Sequence, residues 1–170
     1  MPRLFLAVLP PDDVVSELMS LPRKDQRGVR FVPPENWHIT LRFLGETDVG
    51  HAVEAMDGAE LPAATVTLGP GVDVLSERSL VVPAAGLELL ATTVTELTRD
   101  VGDPPPKRRF HGHLTLARLR RDARLPSAMG MSVDVRFDVD EVVLVRSRLE
   151  PDGARYEVLT GWPTRGWRPG

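Results

Sequence analysis

One short word is written twice in this chain, first inside WHITLRF (residues 37–43) and again inside GHLTLAR (residues 112–118). Each copy alternates polar and apolar residues, which is the pattern of a β-strand with one face buried. His38 and Thr40 then share one face while Ile39 and Leu41 take the other, and His113 and Thr115 stand in the same way against Leu114 and Leu116. The chain has four histidines, and two of them open the copies, 75 residues apart at 38 and 113. A separation of that size fits two related lobes better than a short-period repeat.

The remaining pattern agrees with an α+β chain. RLFLAVL (3–9) reads as a strand. PPDDVVSELMSL (10–21) reads as a helix with proline at its start, acids in its first turn, and Val14, Leu18, Met19 and Leu21 near helical spacing. VRFV (29–32) is a short strand stopped by PPEN, and a second helix covers 49–59 behind a Thr47 or Asp48 cap. Strands follow at 64–70 and 79–84. A third helix then carries Leu87, Leu90, Ala91, Val94 and Leu97 on one face and ends by Gly102. After the basic, proline-rich loop 103–112 come the second copy of the word, a loop at 120–130, and three alternating segments at 131–139, 140–150 and 154–162, the last two joined by the turn EPDG. With no low-complexity linker, residues 1–170 are expected to form a single bilobal domain.

A net charge of −3 argues against gripping long nucleic acid by bulk electrostatics, although a short nucleic-acid end remains compatible with it. The absence of cysteine removes disulfides and thiolate metal sites, and an intracellular, cytoplasmic location is the default. The apolar start LFLAVL is too short for a signal core or a membrane span. No glycine-rich phosphate loop implies ATP.

If the two strands lie side by side, two imidazoles and two hydroxyls meet in one cleft. Histidine's unperturbed pKa near 6.5 makes either protonation state accessible at neutral pH, so such a pair can act as general acid and general base. Both proton transfers of a displacement at phosphorus then proceed without a metal. A neighbouring arginine can neutralise phosphate oxygens, so phosphodiester or cyclic-phosphate chemistry is the natural match.

Other residues admit plainer readings. His111 and His113 form an HxH pair, but no cysteine or evident carboxylate triad completes a metal site. The basic run 107–111 is either an RNA-backbone contact or a solvated loop. His51 falls at a helix start with no chemical partner in view, and Trp162 and Trp167 read as packing residues.

Four stretches in order, RLFLAVLPP, FVPPENWHITLRFLGE, FHGHLTLARLR and VDEVVLVRSRLEPDGARYEVL, resemble the two-histidine phosphoesterases, and within them the RNA 2',3'-cyclic phosphodiesterases of bacteria and archaea, also called 2'-5' RNA ligases. The resemblance spans nearly the whole chain. It implies two pseudo-symmetric lobes of antiparallel sheet flanked by helices, with a central cleft. The implied reaction is cofactor-free hydrolysis of RNA 2',3'-cyclic phosphate ends to 2'-phosphomonoesters, with reversible 2'-5' RNA ligation as an accompanying activity, and the protein is expected to be a monomer that binds no membrane. Small cyclic nucleotides or ADP-ribose cyclic phosphate are alternative substrates for the same machinery, and a non-catalytic RNA-end binding module is the alternative outside enzymology.

By the same resemblance His38 and His113 are catalytic, Thr40 and Thr115 hold substrate, Phe43 stacks on the terminal base and Arg118 holds the phosphate. His38 is then the acid and His113 the base. Gly112 and Ala117 replace the proline and glycine usual in the family. Strict strand alternation conflicts with part of this, since it places Arg42 on the histidine face and turns Phe43 and Arg118 away. A bulge, a strong twist or a strand end has to intervene.

Overall fold

The computed structural model describes residues 1–165, so Trp167 lies outside the described residues. In chain order the elements are β1 (Arg3–Val8), α1 (Asp12–Leu18), β2 (Val29–Phe31), a 3-10 turn (Pro34–Asn36), β3 (Ile39–Glu46), α2 (Val49–Met56), β4 (Thr65–Leu68), β5 (Asp73–Leu75), β6 (Ser79–Ala85), α3 (Glu88–Leu97), β7 (His113–Leu119), β8 (Val135–Asp138), β9 (Glu141–Glu150) and β10 (Gly153–Pro163). Every expected strand and helix is present. The additions are β5 and the 3-10 turn, each only three residues long and therefore too short to show a period.

The helices form where local chemistry favours them. Asp12 and Asp13 occupy the first turn of α1, where carboxylates complement the helix dipole, and Val14 and Leu18 are its buried side. Asp48 caps α2 by accepting a hydrogen bond from the His51 backbone N–H at 3.2 Å. On α3, Leu90, Ala91 and Val94 are buried as the spacing requires. The helix stops at Leu97, before Gly102. That glycine has φ +65°, and a Cβ added there would lie 2.0 Å from the Leu44 carbonyl oxygen, so the chain beyond α3 presses directly on β3.

The strands form one antiparallel arrangement in the order β10-β9-β1-β3-β7-β6-β4-β8, with β2 added to β7 and β5 to β6. The order is symmetric about its centre, where β3 and β7 are joined by a single register pair, Ile39 opposite Leu114. The two repeated words therefore meet at the seam between the lobes. On each side a strand–helix–strand unit occurs, as β1-α1-β3, with β2 and the 3-10 turn inserted after α1, and as β6-α3-β7.

The lobes are not the two halves of the sequence. β4 follows the first unit in the chain but pairs with β6 of the second, while β9 follows the second unit and pairs with β1 of the first. Each unit thus contributes a strand to its neighbour's sheet. The core runs through both, with Leu6, Ile39, Leu44, Leu80, Leu114 and Leu144 fully buried in one apolar cluster. No helix among the described residues is long and apolar enough to cross a membrane. Trp162 is buried, and its indole N–H donates to Asp57 Oδ1 at 2.7 Å, which is a packing role.

Candidate active site at the seam of the two lobes

Because the two words lie on the two central strands, their polar faces line a common cleft of about 280 Å³. All six residues singled out in the sequence are on its wall: His38, Thr40, Phe43, His113, Thr115 and Arg118. His38 immediately precedes β3, and His113 opens β7.

The imidazoles are held in the same way. His38 Nδ1 lies 2.8 Å from the carbonyl oxygen of Asn36, and His113 Nδ1 lies 2.8 Å from that of His111. A carbonyl oxygen can only accept, so each Nδ1 carries a proton and each Nε2 is the nitrogen free to give or take one. The first lock is itself braced. Asn36 ends the 3-10 turn, and its side-chain Nδ2 donates to the Ala154 carbonyl oxygen at 3.0 Å. Trp37 Nε1 donates to the Val32 carbonyl oxygen at 3.1 Å.

The conflict over strand parity resolves through bulges. Across β1 and β3, Ala7 pairs with Thr40 and Leu6 with Arg42, so Leu41 is skipped. Across β6 and β7, Val81 pairs with Thr115 and Leu80 with Ala117, so Leu116 is skipped. The extra residue stands at the same place in both strands. It puts two consecutive side chains inward, Leu41 with Arg42 and Leu116 with Ala117, all four buried. Phe43 and Arg118 then emerge on the cleft side.

The expectation that Arg42 shares the histidine face is thereby overturned. Arg42 is 3% exposed, and its guanidinium donates to the carbonyl oxygens of Phe43, Thr98, Val101 and Asp103. It ties the segment after α3 to β3 and is spent on structure. Arg118 is its opposite. It is exposed, makes no ion pair among the described residues, and its one protein hydrogen bond there runs to Ser79 Oγ at 2.9 Å.

Chains with this arrangement are known. A model of the family described as LigT-like phosphoesterase matches residues 9–70. An RNA 2',3'-cyclic phosphodiesterase of Thermus thermophilus is 32% identical over 185 aligned residues, covering 96% of this chain and 91% of the relative. One from Methanocaldococcus jannaschii is 24% identical, covering 94% of this chain and 99% of the relative. Among solved structures, TT0787 of Thermus thermophilus superposes with a TM-score of 0.79 at 27% identity, covering 96% of this chain and 98% of that one. Escherichia coli LigT complexed with 3'-AMP gives 0.77 at 25% identity, with the same coverage.

The chain belongs to the LigT-like phosphoesterases.

Within that family frame, the structure adds residues that the sequence did not disclose. Phe5 and Tyr156 enclose the first histidine, with ring centroids 4.8 Å and 5.1 Å from that of His38, the tyrosine edge-on at 90°. Phe5 also lies 5.9 Å from Phe43. Arg3, Ser147 and Asp103 complete much of the rim. None belongs to either word. β1 and β10 are remote in sequence, and only sheet order brings them here.

The enclosure has an electrostatic consequence. Burial pushes the His38 pKa below its usual value, partly opposed by the Asn36 carbonyl and assisted by the positive charges of Arg118 and His113. Phe43, by contrast, is 64% exposed and presents a free aromatic face at the rim.

The two departures from the family word fall outside the cleft wall. Ala117 is fully buried, and the carbonyl of Gly112 accepts from Ala84 N–H at 2.9 Å. A Cβ at Gly112 would lie 2.4 Å from the Ala84 carbonyl oxygen, so this position suits a residue without one. His111 contributes its carbonyl to the His113 lock. Among the described residues no group of three or more His, Cys, Asp or Glu side chains is arranged to hold a metal ion. His51 is exposed on α2 and absent from the cleft wall.

Proposed function

We propose that this protein hydrolyses RNA 2',3'-cyclic phosphate ends to 2'-phosphomonoesters, with His38 and His113 as the acid–base pair. The observation that carries the reading is the pair of matched imidazoles, each with Nδ1 tied to a backbone carbonyl and Nε2 free, on the wall of one cleft that also holds an unpaired arginine. The names of the curated relatives support the substrate class.

In the proposed reaction the cyclic phosphate lies between the two Nε2 atoms. His113 takes a proton from water as its oxygen bonds to phosphorus. The bond from phosphorus to the ribose 3'-oxygen breaks on the opposite side, and His38 donates the proton that this oxygen needs to leave. Arg118 neutralises the phosphate oxygens as charge develops, and the Thr40 and Thr115 hydroxyls, which have no protein partner among the described residues, hold the same oxygens. Phe43 stacks on the terminal base. With a 5'-hydroxyl in place of water as the nucleophile, the same groups open the ring and give a 2'-5' linkage, and the reverse of that step regenerates the cyclic phosphate.

Burial lowers the His38 pKa and favours its neutral form near pH 7, which alone would suit a base. A bound phosphate anion favours the charged imidazole and restores the acid's state. We place the protein in the cytoplasm, acting as a monomer without cofactor.

The test is incubation of the purified protein, in EDTA, with a short RNA ending in a 2',3'-cyclic phosphate. Formation of the 2'-phosphate is the expected result. A 3'-phosphate product, or activity that requires added metal, would overturn the assignment.

A further inference from the structure

The cleft accounts for the terminal nucleotide and leaves the neighbouring surface unused. A second depression, about 560 Å³, adjoins the first and shares Thr40, Phe43, Asp103 and His113 with it. Its floor is apolar, including Leu41 and the half-buried Phe110, and Thr92 and Thr95 of α3 stand on one side. The other side is the basic loop after α3, which presents Arg108 and Arg109.

The charge balance of this groove differs from that of the molecule. Arg108 and Arg109 are exposed and make no ion pair among the described residues. The two acids on its wall are already engaged: Glu96 pairs with Arg99, and Asp103 lies beside the buried Arg42 guanidinium. A chain of net charge −3 thus places two uncommitted cations beside an exposed aromatic, directly outside its catalytic cleft. Cations that track a backbone, next to a ring on which a base stacks, form the usual surface for single-stranded nucleic acid.

We infer that this groove binds the nucleotides immediately 5' to the cyclic end, so that the protein acts on RNA oligomers in preference to cyclic mononucleotides. The inference rests on the function proposed above. A strand with its terminal base on Phe43 has to leave the cleft past that residue, and the groove opens there. Arg108 and Arg109 meet the phosphates, and Phe110 with the α3 threonines underlies the penultimate nucleotide.

The experiment compares kcat/KM for a 2',3'-cyclic mononucleotide and for a short oligoribonucleotide with the same end, in the wild type and in the double variant R108S/R109S. A second double variant, R120S/R121S, removes the same charge from the loop after β7, away from the groove. The wild type should favour the oligomer by about tenfold or more. R108S/R109S should lose most of that preference and leave the mononucleotide rate in place, while R120S/R121S keeps the preference. The fall of log kcat/KM with log salt for the oligomer should become shallower by about 0.7 for each phosphate contact removed. An oligomer no better than the mononucleotide, equal losses on both substrates, or equal losses in both double variants would overturn the inference while leaving the proposed chemistry intact. Failure of the wild type to hydrolyse either substrate would overturn the proposed function, and this inference with it.

Discussion

The third motif residue of each word, which follows the histidine and the threonine and stands five positions after the histidine, shows how unlike the two lobes are. Phe43 pairs in register with Phe5 across β1 and β3, and Arg118 pairs with Ser79 across β6 and β7. Both pairs follow a bulge at the equivalent leucine, Leu41 or Leu116, so the backbone delivers both side chains to the cleft in the same manner. The chemistry then separates. One pair is two aromatic rings with centroids 5.9 Å apart, and the other is a guanidinium held by a hydroxyl at 2.9 Å. The repeated scaffold supplies position, and each copy presents a different surface to the cleft: an exposed aromatic face at Phe43 and a guanidinium at Arg118.

The first positions make the complementary point. His38 and His113 have the same Nδ1 lock at the same distance, yet Phe5 and Tyr156 enclose His38, while His113 follows the exposed basic loop. Acid–base catalysis by two histidines needs one charged and one neutral, so identical surroundings would be a disadvantage. Enclosure by Phe5 and Tyr156 makes the two surroundings unlike, and by itself it favours the neutral form of His38.

The largest effect should come from removing either imidazole. His38→Ala and His113→Ala should each lower the hydrolysis rate by about 100-fold or more, measured on RNA with a cyclic end. The two variants separate with a substrate carrying sulfur in place of the 3'-oxygen, which leaves without protonation. Rescue is expected for His38→Ala alone, and rescue of His113→Ala instead would exchange the two roles.

Next in size is the charged third position. Arg118→Ala should lower kcat/KM by about 100-fold and reduce kcat as well as raise KM, because the contact strengthens as charge develops on the phosphate. Ser79→Ala should cost less than about tenfold, since it only orients the guanidinium. Equal losses at both sites would mean that Ser79 touches substrate itself.

The aromatic third position should be milder. Phe43→Ala should raise KM by about tenfold with kcat little changed, in keeping with roughly 1–3 kcal/mol for a stacked base, and Phe43→Trp should restore binding. A large loss of kcat would mean that Phe43 positions the phosphate as well.

The smallest effect is a displacement along the pH axis. The rate should trace a bell, and in the proposed roles His38 has to be protonated, so activity should fall as pH rises through its pKa. That pKa is lowered by burial and, to a lesser extent, by Arg118 and His113, and a phosphate anion beside the imidazole is expected to raise it. The descending limb should therefore lie at higher pH in kcat, which reports the complex, than in kcat/KM, which reports the free protein. Coincident descending limbs would remove His38 from the acid's role.

Much of this was readable before folding was considered. Through resemblance, the words WHITLRF and GHLTLAR pointed to six residues that lie on the cleft wall, and alternation alone paired each histidine with its threonine. Alternation failed two residues later. A bulge leaves no local mark in Leu41-Arg42 or Leu116-Ala117, because it is a property of two strands whose registers disagree by one residue. Hence Arg42 read as a cleft residue and is instead a buried staple for four carbonyls.

What the sequence alone determined is the set of local periods and the repeated word: strand, helix, strand, twice over, with an imidazole and a hydroxyl on one face of each copy. The tertiary structure alone decided that β4 and β9 cross into the opposite sheet, that the seam is one register pair between Ile39 and Leu114, and that Phe5, Ser79 and Tyr156 stand behind the motif residues. The physical reason is range. Periodicity and capping arise between residues a few positions apart and are written in the chain. Strand exchange, register and the burial that lowers the His38 pKa depend on contacts between segments dozens to more than a hundred residues apart, which exist only once the sheet has formed.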